Sequence, residues 1–82
     1  MEWLQARDGG FFVRSDEGDW AYAYPTSPHA RVAQTKPEMV AREMAAAAKF
    51  SGYGYIVTRH NEYLASEYQR EYDAIHAELG DA

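Results

Sequence analysis

Trp20-Ala21-Tyr22-Ala23-Tyr24 alternates a large aromatic residue with alanine at every step. In an extended chain, successive side chains point to opposite sides. The segment therefore has one wholly aromatic face and one face of methyl groups. A helix would scatter these residues around its axis, so the period of two predicts a strand. Pro25, which lacks an N–H for a sheet ladder, ends it.

The residues before it supply two more strands. Glu2-Trp3-Leu4-Gln5-Ala6-Arg7 runs into Asp8-Gly9-Gly10, a hairpin signal because glycine tolerates positive φ. Phe11-Phe12-Val13-Arg14 follows, then the polar turn Ser15-Asp16-Glu17-Gly18-Asp19. After a loop on Pro25 and Pro28, His29 to Gln34 reads as a fourth, weaker strand. Thr35-Lys36-Pro37-Glu38 then opens a helix: Thr35 as N-cap with Glu38 three residues on makes a capping box, and Pro37 suits the first turn. Val40, Ala41, Met44, Ala47 and Ala48 share one side, Glu38 and Arg42 pair across the other, and Ser51-Gly52 stops the helix. The alanine run Ala45 to Ala48 lets it approach a sheet closely.

Tyr53-Gly54-Tyr55-Ile56-Val57-Thr58-Arg59 is a further strand, and Asn61 to Gly80 a second helix with an apolar stripe Leu64, Tyr68, Tyr72, Ile75 and Leu79. The order is β-β-β-(β)-α-β-α. This is an α+β fold over residues 1–82: one domain, with a small antiparallel sheet of three to five short strands packed against two helices on one face.

The closing segment carries the charge. Residues 61–82 hold Glu62, Glu67, Glu71, Asp73, Glu78 and Asp81 against Arg70 alone, equal to the net −5 of the whole chain. On a helical wheel Glu67, Glu71 and Glu78 share one flank beside the apolar stripe, with Glu62 and Asp73 on the far side. Glu67 and Glu71 repel at i,i+4, and Glu78 sits at the unfavourable end of the helix dipole. Keeping acids there costs a little local stability. A solvated face explains that cost as solubility, and a binding face explains it as an anionic ridge for a basic surface.

Composition excludes several kinds of chemistry. There is no cysteine, so disulfides and thiolate metal sites are out. His60-Asn61-Glu62 matches the H-x-E of zinc deaminases but lacks their downstream cysteines. His29 and His76 read as ordinary loop and boundary histidines. No Walker loop, dinucleotide fingerprint, nucleophile elbow or calcium loop occurs. The expectation is a non-enzyme with no cofactor and no metal. No apolar run matches a membrane span, and the N-terminus has no signal-peptide pattern, so the expected location is the cytoplasm. The pI near 5.0 argues against direct coating of nucleic acid.

The leading expectation is a small non-catalytic binding protein. Its partner is a larger protein or protein–nucleic acid complex with a basic surface. Glu67, Glu71 and Glu78, with Asp73 secondary, carry the electrostatics, while Trp20, Tyr22 and Tyr24 serve as aromatic anchors. Within that class the reading favours an inhibitor that blocks a nucleic-acid-handling complex by mimicking phosphates. Being small, acidic, cysteine-free and single-domain, the chain resembles phage-encoded inhibitors of host defence such as anti-CRISPR proteins. That likeness is one of general character and rests on no residue motif. A second reading is a single-stranded nucleic-acid binder, in which Arg7, Arg14, Arg31 and Arg59 share a sheet face with Tyr22 and Tyr24. A third is a small structural or regulatory subunit that pairs with its own copy.

Overall fold

The structure is a computed structural model that describes residues 1–48, 55–58 and 62–80. Strands β1 (Glu2–Gln5), β2 (Phe11–Arg14) and β3 (Trp20–Ala23) form a meander. Helices α1 (Pro28–Ala33) and α2 (Pro37–Ala46) follow, then β4 (Tyr55–Val57) and the long helix α3 (Glu62–Gly80). The sheet order is β1-β2-β3-β4, and every neighbouring pair is antiparallel. The α+β class and the antiparallel sheet are as the sequence predicts.

Both hairpins use the same turn. Ala6 N–H donates to the Gly10 carbonyl (2.8 Å) and Ser15 N–H to the Asp19 carbonyl (2.8 Å), closing each hairpin around three residues. Each loop ends on a glycine at positive φ, Gly9 at 97° and Gly18 at 91°. A side chain there would strain the backbone, and glycine adopts the conformation freely. Side chains finish the turns: Asp8 Oδ1 accepts the Gly10 N–H (2.9 Å), and Ser15 Oγ accepts the Asp19 N–H (3.1 Å). The Met1 ammonium pairs with the Asp16 carboxylate across the second turn.

Strand alternation sorts the side chains onto two faces, and helices cover both. On one face Phe11, Val13, Ala21 and Ala23 meet Ala30 and Ala33 of α1 and Val40, Ala41 and Met44 of α2, all 0–2% exposed. Trp3, Tyr55 and Val57 pack at the margin of this core. On the other face Leu4, Phe12 and Trp20 meet Ala65, Tyr68, Tyr72 and Ile75 of α3. This corrects the one-face arrangement. The unbroken apolar run Phe11-Phe12-Val13 belongs to a central strand that is buried on both sides.

The stretch His29–Gln34, expected as a strand, is largely helix α1. Ser27 is its N-cap: its backbone is extended, and its Oγ accepts the His29 N–H (3.1 Å), while Pro28 takes the first helical position. Ala30 and Ala33, three apart, then face the sheet together. The capping box at the start of α2 is not formed either. The N-cap is Lys36, with no side-chain cap, which leaves Thr35 one residue too early; its hydroxyl donates to the Val32 carbonyl (3.2 Å). Helix α2 ends at Ala46. Glu38 and Arg42 are both exposed, and the ion pairs among the described residues do not include them. The expected stop at Ser51-Gly52, the Tyr53-Gly54 start of β4, and Arg59, His60 and the Asn61 cap lie outside the described residues.

The short β4 is pinned by a side chain. Thr58 is 3% exposed; its N–H donates to the Trp20 carbonyl (3.1 Å), and the Trp20 N–H donates to its Oγ1 (3.3 Å). These bonds carry the β3–β4 ladder one step past the last paired residue.

Candidate functional site

Helix α3 and the rim of the sheet beneath it hold the residues that the sequence singles out. The helix docks through aromatic rings rather than through a sealed apolar seam, and none of its residues is fully buried. Tyr72 packs on Trp20 with ring centroids 5.1 Å apart, and Tyr68 meets Phe12 edge-on at 6.0 Å. Of the stripe predicted at Leu64, Tyr68, Tyr72, Ile75 and Leu79, Tyr68, Tyr72 and Ile75 pack on the core and Leu64 is half-buried. Ala65 packs on the core at one end, and Leu79 is 37% exposed at the other.

The four acids differ in their surroundings. Glu67 is half-buried and bonds Arg70, three residues on, at 3.2 Å. Glu78 bonds Arg7, at the end of β1, at 3.2 Å. Those two carboxylates are partly neutralised. Asp73 accepts a hydrogen bond from Gln69 Nε2 (3.0 Å) and has no ion pair among the described residues. Glu71 is exposed and has no ion pair among the described residues. Among the described residues the ridge of three glutamates thus resolves into one carboxylate without an ion pair and two paired ones, with the exposed Glu62 and Asp73 elsewhere on the helix.

The aromatic candidates also divide. Trp20 is only 2% exposed and belongs to the core, so its ring is not available to a partner in this fold. Tyr22 is half-buried and Tyr24 is 45% exposed. Their rings meet at right angles, 5.9 Å apart, and Tyr68 lies 5.5 Å from Tyr22. The sequence reading missed Tyr68 as part of this surface by assigning it wholly to the buried stripe. It also missed Asp8, whose only signal was its place in a turn next to the end of β3. A Cβ on Gly10 would stand 2.8 Å from the Tyr22 hydroxyl and 3.2 Å from Asp8 Oδ1, so glycine lets both groups converge there.

This environment favours neutral phenols. Burial pushes the Tyr22 hydroxyl above its ordinary pKa, and the negative charges of Asp8 and Glu71 push it further. Tyr68 is raised by burial and then by Tyr24 and Glu71. Tyr72 is raised by burial, Glu2 and Asp73, with Arg14 opposing.

Among the described residues the arginine-and-aromatic sheet face is not assembled. Arg7 bonds Glu78, Arg14 bonds Glu2 (3.8 Å), Arg31 lies on α1, and α3 covers the aromatic face. A separate groove of about 220 Å³ runs between α1 and α2, lined by Pro28, His29, Val32, Met39, Val40 and Glu43. Its His29 packs edge-on against Tyr55 at 5.1 Å. Among the described residues no cluster of histidine and carboxylate side chains could hold a metal ion. No described helix is long and apolar enough to cross a membrane.

No protein-family model matches the chain, and neither a curated protein nor a solved structure resembles it significantly. The fold and this surface define a small α+β domain whose charged and aromatic residues gather around one lid-like helix.

Proposed function

We propose that this protein is a small non-catalytic binding protein that occupies a basic surface on a larger protein or protein–nucleic acid complex. In the finer form of the proposal it inhibits a nucleic-acid-handling complex, as phage anti-defence proteins of the anti-CRISPR type do, in the host cytoplasm. The observation that carries the reading is the division of labour on α3. Its tyrosines hold the helix to the sheet, while Glu62, Glu71 and Asp73 stay exposed and outside any ion pair among the described residues. Exposed carboxylates on both flanks of a folded helix attract a phosphate-binding groove at long range and compete with its ligand. Glu67 and Glu78 contribute less because Arg70 and Arg7 already offset them.

The test is a paired capture from host extract with the wild-type chain and the Glu71→Lys/Asp73→Lys variant. Both positions are exposed, so the variant keeps its fold. The wild type should retain a nucleic-acid-handling protein, the variant should lose it, and association with the purified partner should slow as salt rises. Equal capture by both chains, or an association rate indifferent to salt, overturns the reading.

A further inference from the structure

We infer that Tyr22, Tyr24 and Tyr68, with Asp8 and Glu71, form a guanidinium-binding site that takes an arginine side chain of the partner. The inference rests on the binding function just proposed and names the group recognised. Tyr22 and Tyr24 meet at an interplanar angle of 85°, so their rings make a corner, and Tyr68 lies beside Tyr22 at 46°. The negative faces of such rings attract a cation. Asp8 Oδ1 and the Tyr22 hydroxyl converge at Gly10, and Glu71 follows Tyr68 by three residues on α3 and bears electrostatically on both Tyr22 and Tyr68. Neither carboxylate has an ion pair among the described residues, although the neighbouring Glu67 and Glu78 both do. Asp8 has Oδ1 engaged by the Gly10 N–H, while Oδ2 has no such bond among the described residues.

Charge complementarity selects the occupant. Two unpaired carboxylates beside aromatic faces repel phosphates and carboxylates, so the ligand is a cation. Among protein cations arginine fits best: its guanidinium is planar, weakly hydrated and able to stack on a ring while its N–H fork bonds carboxylate oxygens. A lysine ammonium would satisfy the charge but gains less from the rings and holds its water more tightly.

Nuclear magnetic resonance of the full chain tests this, with a short arginine–glycine peptide as probe and its lysine–glycine counterpart as comparison. The arginine peptide should shift the ring signals of Tyr22, Tyr24 and Tyr68 and bind roughly threefold or more tighter than the lysine peptide. Tyr24→Ala and Glu71→Gln should each weaken binding by roughly threefold to tenfold, and Tyr24→Phe, which keeps the ring, should restore it. Both side chains are exposed, so unchanged amide spectra will establish that the fold is intact. Equal binding of the two peptides, or indifference to Tyr24→Ala, overturns the site while leaving an acidic binding face standing. No ring shifts at millimolar peptide also overturn it, whereas the broader function is judged separately by the paired capture.

Discussion

The face of the sheet under α1 and α2 and the face under α3 share the same strands but are built from opposite materials. Under α1 and α2 the contacts are alanine on alanine: Ala21 and Ala23 against Ala30, Ala33 and Ala41, all at 0% exposure, with Phe11, Val13 and Met44 filling the remaining space. Small side chains let the helices come close and leave the core dry. Under α3 the contacts are rings on rings, and Tyr22, Tyr68 and Tyr72 are only half-buried. One face is sealed by buried helices, and the other is a buried strand surface under a helix that is itself only half-buried.

The sharpest way to break this contrast is to empty the closed face. Phe11→Ala removes a fully buried ring and should cost about 3–5 kcal/mol, read as a lowered denaturant midpoint. A loss under about 1 kcal/mol would mean that this core is not the stabilising one. Next, Gly10→Ala drives a methyl against a Tyr22 ring already held by Phe12, Tyr24 and Tyr68. It should cost about 1–3 kcal/mol and disturb the aromatic face alone, visible as ring shifts confined to Tyr22 and its neighbours. Third, amide exchange should show α3 opening more readily than α2, because α3 has no fully buried residue while α2 has Val40, Ala41 and Met44. Equal protection of the two helices would erase the distinction.

Alkali should act on one face only. The Tyr22, Tyr68 and Tyr72 hydroxyls are raised in the fold, so their contribution is intact below the ordinary tyrosine value of about 10. It is lost as pH climbs through the raised values, because the unfolded chain then releases more protons. Stability should fall above pH of about 10, and Tyr68→Phe should blunt the fall; a flat profile would contradict the raised values. The smallest effect belongs to Arg7→Gln, which breaks an exposed pair with Glu78 and should cost about 0.2–1 kcal/mol, resolved by comparing denaturation midpoints at low and high salt.

Much of this fold was legible in the chain. The alternation at Trp20–Tyr24 identified β3, the two glycine turns identified the meander, and the spacing Tyr68, Tyr72, Ile75 identified the inner side of α3. Two local signals admitted more than one reading. Ser27-Pro28 reads as a loop by composition, but a serine followed by proline also begins a helix, and the buried spacing of Ala30 and Ala33 decides between them. Phe11-Phe12-Val13 has no polar alternate, the mark of a strand covered twice, and it places α3 opposite α1 and α2. At the candidate site, charge located α3, but pairing could not be read from charge. Arg7 reaches Glu78 across a long stretch of sequence, so only the fold separates a neutralised glutamate from the exposed Glu71. Trp20 was on the aromatic face as expected, and α3 buries it there.

The matched three-residue turns also bear on the order of assembly. Strands β1 to β3 close through contacts between residues near in sequence, so the meander has little entropy to overcome and can form while later residues are still being synthesised. Strand β4 pairs with β3 only after the entire α1–α2 connection has been looped in. Thr58, bonded to Trp20 on both its backbone and its hydroxyl, is the latch on that pairing, and a chain cut before β4 would carry β3 as an open edge able to recruit a strand from another molecule.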